Sequence, residues 1–474
     1  MSTLTASLTT APRSTRRWLA LTILALAQFL VVLDASIVNI ALPVIGDRFH
    51  MDTGSLAWVI TAYVLAFGGL LLLGGRLADR YGHRRVFLIG TAGFVLGSAL
   101  AGLSMSSGML LAARAFQGAS AALLAPAALA LLTLLVPRTE DRTMALGVWG
   151  GVAGIGSAAG VLLGGVLTAS FGWPSVFFVN IPVGAAVLIA VPLLITRDTP
   201  AERTRLDIPG AATISLALVA AVGALSAVER VGILHPLTLG LAAAAVLLGV
   251  VFVVIERRTA SPLVPFGLFA NRNLTVGNIV MLLVGAATVA LFFALSVYMQ
   301  EVLGYDALTT GLAQLPLAGS LVVIAGVVPQ VVARPGVRGT LISSLVVLAG
   351  GLVWLAEAPV AAPFAASLLA PTILMGIGLG GVFVTVTQLS VDGVGERESG
   401  LAGGLVNTSQ QIGGALGLAL LGAVAFARTS SLAAAGAGTE SALAGGFDWL
   451  FLGAAALTVL GVVVVALVRP AARA

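Results

Sequence analysis

Long apolar stretches alternate with short polar breaks along the whole chain. Cut at charged or turn-forming clusters, they run over 18–43, 56–74, 86–104, 108–134, 144–168, 175–195, 209–228, 236–255, 274–300, 308–332, 340–356, 363–389, 400–426 and 447–468, fourteen in all. Each approaches the roughly 20 residues that a helix needs to cross a bilayer. They lack the alternation of barrel strands, and lipid tolerates no unsatisfied backbone polar group, so each is predicted to be a transmembrane helix. The fold class expected is all-α integral membrane, with fourteen transmembrane helices.

Arginine placement checks this segmentation independently. All 24 basic residues are arginine, and lysine is absent. With both termini in the cytoplasm, twenty arginines fall on inner segments, Arg48, Arg230 and Arg428 fall on outer loops, and Arg114 lies inside a span. That asymmetry obeys the positive-inside rule. Adding or dropping one span would invert every later loop, whereas dropping the pair at 209–255 would not, so fourteen rather than twelve rests on that pair's hydrophobicity. The Ser/Thr-rich stretch 1–17 is expected to be a disordered cytoplasmic N-terminus. Residues 18–43 are too long for a signal-peptide core and carry Asp34. The stretch 427–446 reads as the longest outer loop.

Composition sharpens the class. The chain is 59% hydrophobic and 9% charged, whereas a soluble globular protein is about a quarter charged. A formal charge of +5 would suggest nucleic acid in a soluble chain; here the charges encode orientation, and no nucleic-acid partner is expected. Without cysteine there is no disulfide or thiolate site, and without lysine no Walker A loop or Schiff base. His50, His83 and His235 all fall at loops or span ends, and no metal or cofactor site is expected. Gly376-Ile377-Gly378-Leu379-Gly380-Gly381 fits a dinucleotide-binding pattern, but it lies inside an apolar span with no strand before it, so helix packing explains it. An enzyme is not expected.

Asp34 and Arg114 are the ionisable residues well inside spans. Each costs about 2.5–3.5 kcal/mol at a helix centre and survives only where it is paired or lines a cavity. Asp34 is a candidate proton carrier in an opening reachable from either face, or else a structural partner of neighbouring polar groups. Asn39, grouped with it, lies about 140° around the helix at 100° per residue. Arg114, Gln117 and Gly118 stand at i, i+3 and i+4, placing a guanidinium and an amide on one face where another backbone can approach. Arginine does not titrate, so Arg114 would bias a nearby carboxylate or form a static ion pair with it. Asn407, Gln410 and Gln411 make a polar stripe that lines a cavity or hydrogen-bonds between helices. In the fifth span, overlapping G-x-x-x-G pairs that include Gly147, Gly156, Gly160 and Gly164, with Gly165, invite a close neighbour helix.

The loop Gly75-Arg76-Leu77-Ala78-Asp79-Arg80-Tyr81-Gly82-His83-Arg84-Arg85 resembles motif A of the major facilitator superfamily, with His83 where that motif usually has arginine. Arg114-Ala115-Phe116-Gln117-Gly118-Ala119-Ser120 resembles its motif B. Gly147, Gly156, Gly160, Gly164 and Gly165 resemble the antiporter motif C, with Val161 replacing its proline. Leu33-Asp34-Ala35-Ser36-Ile37-Val38-Asn39-Ile40-Ala41-Leu42-Pro43 resembles the signature of the fourteen-helix drug:proton antiporters. The resemblance implies two six-helix bundles related by a pseudo-two-fold, 18–195 and 274–468, with two inserted helices at 209–255. It also implies a gating loop formed by Gly75, Asp79, Arg80, Gly82, His83 and Arg84. There Asp79 would face the region near Gly400, and Arg80 or His83 would approach Glu140 or Asp141. The second half's equivalent loop is reduced to Arg334-Pro335-Gly336-Val337-Arg338.

The function expected is proton-coupled export of amphiphilic or cationic compounds by alternating access, with protons as the coupling ion. The transporter would be a multi-pass monomer of the inner cytoplasmic membrane that needs no ATPase subunit. An exporter dedicated to one metabolite or antibiotic is the alternative; a non-transporting sensor or scaffold is an alternative of another class. Because the chain has no cysteine, its topology is directly readable. In intact cells Ala437→Cys should react with an impermeant maleimide and Ala201→Cys should not; the reverse pattern contradicts the orientation.

Overall fold

The computed structural model describes residues 13–136, 139–196, 198, 206–332, 335–357, 364–394 and 399–468. Helices α1 (Arg13–Phe49), α2 (Thr53–Tyr81), α3 (His83–Gly102), α4 (Ser107–Leu135) and α5 (Thr139–Phe171) precede a short α6 (Ser175–Phe178) and α7 (Asn180–Leu194). The last two together make the sixth span. A hairpin of α8 (Ile208–Val231) and α9 (Pro236–Arg258) follows. The second half comprises α10 (Arg272–Val297), extended by a π-helical turn at Tyr298–Val302, then α11 (Ala307–Val331), α12 (Gly336–Ala356), α13 (Ala370–Val391), α14 (Ser399–Ala434) and α15 (Thr439–Leu467). Among the described residues thirteen helical stretches are long and apolar enough to cross a membrane, and the apolar part of α5, Ile155–Phe171, makes a fourteenth span; an even number puts both chain ends on one face, called here the terminal face. No strand occurs among the described residues.

The helices outlast the apolar runs that predict them. α1 begins at Arg13, within the stretch expected to be disordered, of which residues 1–12 lie outside those described. The expected long loop at 427–446 is four residues, 435–438, because α14 continues to Ala434 and α15 starts at Thr439. A charge ends the hydrocarbon crossing, but Ala-rich sequence beyond it remains a strong helix former. This extension packs back on α15, where Thr429 lies against Gly446.

Each half forms a bundle. α4 packs on α2 and α3, and α1 on α5 and α7; in the second half α10 packs on α14 and α15, while α13 packs on α11 and α12. The halves meet along two seams, α2 with α14 and α5 with α11. α8 lies against both α2 and α14, while α9 packs chiefly on α8 and leaves Val246, Leu247 and Val250 exposed, as suits a lipid-facing rim.

Small residues set these distances. At Gly118 a Cβ would collide with the Tyr63 carbonyl, and at Gly74 with that of Ala122, so α2 and α4 lie at near backbone contact. At Gly400 nothing lies within 4 Å of that position. Gly118→Ala should therefore destabilise the protein by about 1–3 kcal/mol through overpacking, whereas Gly400→Ala should leave it unchanged. Thermal unfolding in detergent reads the difference, and equal shifts contradict the packing.

Candidate functional site

The polar centre is built inside the first half from five helices. On α4, Arg114 and Gln117 share a face, and Gly118 brings that face against α2. Arg114 Nε donates to the Val59 carbonyl at 3.1 Å, and its guanidinium lies 4.4 Å from the centre of the Tyr63 ring. Arg114 Nη1 donates to Asp34 Oδ2 on α1 at 2.6 Å and to Gln117 Oε1 at 2.6 Å. Gln117 Nε2 donates to Asp34 Oδ1 at 2.8 Å and to Ser98 Oγ on α3 at 2.7 Å. Asn180 Nδ2, at the start of α7, donates to the same Asp34 oxygen at 2.8 Å. Asp34, Gln117, Ser98 and Asn180 are 0% exposed and Arg114 1%.

Both carboxyl oxygens of Asp34 thus accept, from one guanidinium and two amides. This is the pattern of an ionised carboxylate with its charge paired and its lone pairs satisfied, the condition for keeping a charge out of water. Protonation would turn one acceptor into a donor facing only donors, and at least one contact would break. Asn180 Oδ1 and the Tyr63 hydroxyl are buried without a partner among the described residues, so a rotated Asn180 amide would offer an acceptor to such a proton.

The sequence led to Asp34, Arg114 and Gln117, and the structure joins them directly. Ser98, Asn180 and Tyr63 were missed. Asn180 had a signal, as a lone amide within an otherwise apolar span. The carboxyl is enclosed in this conformation: Asp34 is 0% exposed, and of two cavities, one bordered by Trp58 and Phe447 and the other by Ile324 and Ile377, neither is lined by Asp34 or its partners. One of these is an apolar groove on the face opposite the chain ends, bordered by Trp58, Phe293, Phe426 and Phe447. Asn39 does not join Asp34. Its Nδ2 donates to the Ala35 carbonyl of its own helix at 2.9 Å, and its carbonyl accepts from Ser296 Oγ of α10 at 2.6 Å, where the halves touch.

The glycines of α5 form the packing surface that their spacing suggested. A Cβ at Gly160 would lie 2.6 Å from Ser36 Cβ, one at Gly164 2.9 Å from the Ile37 carbonyl, and one at Gly165 2.7 Å from the Ala307 carbonyl of α11. Gly156 faces Val32, and the surroundings of Gly147 lie outside the described residues. Val161 is buried with Ile40 and Ala307, and α5 runs unbroken through it. Of the polar stripe on α14, Asn407 is exposed, Gln411 stands on the α2 seam against Gly68, and the Gln410 backbone packs on Gly285. None of the three makes a side-chain hydrogen bond among the described residues.

In the gating loop Asp79 meets His83 Nε2 at 3.2 Å, and His83 Nδ1 contacts Asp198 Oδ2 at 2.9 Å; among the described residues no contact of Asp79 with the start of α14 occurs. The side chains of Glu140 and Asp141 lie outside the described residues. Asp198 follows the sixth span on the same face and accepts from the His83 and Arg84 backbone amides at 2.6 and 3.1 Å, capping the positive end of α3. Burial pushes its carboxyl up, but those amides and the His83 ring outweigh it and hold the carboxyl below the ordinary range. Its stabilising contribution is thus present above the usual carboxylate pKa and is lost only as pH falls through the lowered value. Gly82, at φ 93°, makes the turn that allows this. Arg80 lies over the Tyr81 ring, Arg84 donates to the Pro192 carbonyl, and Gly75 lies beside Pro126.

A sequence model described as the Major Facilitator Superfamily matches residues 24–418, and the chain belongs to that superfamily. It is a membrane transporter and not an enzyme. Among its relatives, the cephamycin export protein CmcT of Amycolatopsis lactamdurans is 40% identical over 463 residues, 95% of this chain and 93% of the relative. The puromycin resistance protein pur8 of Streptomyces alboniger is 40% identical over 423 residues, 88% of this chain and 83% of the relative. The crystal structure of a mutant nucleoside transporter, NupG, superposes with a TM-score of 0.67 at 14% identity, covering 95% of this chain and 99% of that one; this likeness shows the fold.

Removing one member of a buried pair leaves the other uncompensated, at about 3–5 kcal/mol. Asp34→Leu and Arg114→Leu should each destabilise the protein by that order, and the double variant by less than their sum. Additive losses in unfolding experiments would contradict a direct pair.

Proposed function

We propose that the protein is a proton-coupled exporter of amphiphilic, antibiotic-like compounds, working as a monomer in the cytoplasmic membrane with both termini inside. The observation that carries this reading is the Asp34 carboxylate held by Arg114, Gln117 and Asn180 within an apolar bundle. The export and resistance proteins that resemble the chain over most of its length support the substrate class.

The halves touch toward the face opposite the chain ends, through Asn39 with Ser296 and Ile40 with Gln300, and through Gly165 with Ala307. Toward the terminal face, among the described residues, the positions beside Gly400 and Gly403 on α14, and beside Gly319 and Gly326 on α11, are empty to 4 Å, while Gly404 lies beside Leu72. With both termini inside, these contacts support reading this conformation as inward-facing. Asp79 pairs with His83 here and, among the described residues, not with the start of α14. Asp34 is enclosed here, so it takes up or gives up a proton only while the bundles move. When they rock outward, α1 shifts against α4 and α7, one of the three bonds to Asp34 opens, and the carboxyl takes a proton from outside. On the way back the proton leaves to the inside before the centre closes on Arg114. Moving one charge across the membrane supplies about 2.3 kcal/mol per 100 mV.

A narrow exporter dedicated to one compound is the second reading, prompted by relatives whose names specify single antibiotics, puromycin, cephamycin, tetracenomycin C and lincomycin; a relative named as a multidrug resistance protein supports the broad one. A panel of those compounds and unrelated dyes separates narrow from broad export.

In vesicles with an imposed pH difference, wild-type protein should move puromycin and stop on addition of a protonophore. Asp34→Asn should keep the fold and lose at least 90% of gradient-driven transport. Full transport by Asp34→Asn removes this residue from coupling.

A further inference from the structure

The second half carries a polar group that the gradient-coupling centre does not use. Gln314 on α11 is 0% exposed, and neither its Oε1 nor its Nε2 has a partner among the described residues. One turn away, Thr310 is also 0% exposed with an unpartnered hydroxyl, and Thr168 on the facing helix α5 is a third such group. A buried hydrogen-bonding group left unmade costs about 1–3 kcal/mol, and three on one seam are a concentrated burden in a bundle otherwise filled by apolar contacts.

Their position follows from contacts on either side. A Cβ at Gly311 would lie 2.7 Å from the Val161 carbonyl of α5, while the Leu317 carbonyl packs on Gly376 of α13. At about 100° per residue, Gln314 points midway between these directions, roughly 60° from each. It therefore faces the interior between the halves at the edge of the α5–α11 seam, and α1 of the first half also packs on α11. One turn along α5 from Val161, Ser157 meets Ser36 of α1 at 3.4 Å, two residues from Asp34. Gln314 thus stands at the depth of the carboxylate, in the opposite half.

We propose that Gln314, with Thr310, is a hydrogen-bonding substrate contact, buried in the substrate-free seam and met when a compound entering from the open terminal face displaces α11 from α5. An amide offers both donor and acceptor, suiting compounds whose polar rim carries hydroxyls and amides. A purely apolar cation would gain nothing from it. This inference rests on the export reading above and specifies which substrates the site distinguishes.

The test compares puromycin with tetraphenylphosphonium, which has no hydrogen-bonding group, in reconstituted vesicles carrying Gln314→Leu or Thr310→Val. Both variants keep side-chain volume and remove an unpartnered polar group, so their unfolding temperatures should equal or exceed that of the wild type. Gln314→Leu should raise the KM for puromycin about tenfold, the worth of one hydrogen bond, and leave tetraphenylphosphonium export within about twofold. Thr310→Val should act in the same direction by about threefold. Puromycin export unchanged in both variants, or equal loss for both compounds, overturns the inference while leaving the export reading intact. A wild type that exports neither compound overturns both.

Discussion

A carboxylate at the depth of the hydrocarbon survives only if its charge and its lone pairs are answered by the protein. That requirement organises the first half around Asp34. It fixes Arg114 and Gln117 on one face of α4, draws Ser98 and Asn180 inward from α3 and α7, and sets Tyr63 over the guanidinium. Glycines make the geometry possible, since α4 reaches α2 only because Gly118 and Gly74 leave room. In the proposed mechanism the satisfied network is also what makes the carboxyl a coupling device, because a proton added there unbalances contacts to two helices, α4 and α7, together.

The second constraint is motion. Two bundles that rock must be held together by surfaces that slide, and the seams are made accordingly. Along α5 and α11 the contacts are backbone against glycine, with little side-chain interlock. Along α2 and α14 the inserted helix α8 touches both halves, with α9 stacked outside it. Polar groups where the halves touch are satisfied unequally here: Ser296 Oγ donates to the Asn39 carbonyl at 2.6 Å, while Gln314 has no partner among the described residues.

Much of this was legible in the chain itself. A membrane-spanning helix is written in every one of its residues, and a charge inside an apolar run is conspicuous by its expense, which is why the fourteen spans and the Asp34, Arg114 and Gln117 triad could be read directly. Asn180, Ser98 and Tyr63 could not, because a single hydroxyl or amide in a span is ordinary until its neighbours from other helices are known. Helix ends were misjudged where the chain leaves lipid yet stays helical, as at 427–434. The pairing of His83 with Asp198 was hidden because it joins a loop motif to a residue 115 positions away, and periodicity carries no information across such a distance. The enclosure of Asp34 is a property of one conformation, and the sequence encodes the pair of conformations together.

The central claim is that Asp34 carries the proton exchanged for substrate, and proton movement coupled to substrate movement tests it most directly. In vesicles loaded with puromycin and given no imposed pH difference, downhill loss of puromycin through the wild type should drive a counter-flow of protons and shift the internal pH, and Asp34→Asn should let puromycin leave with no pH change. Downhill loss through the wild type without a pH change, or an equal change with both proteins, would contradict the account.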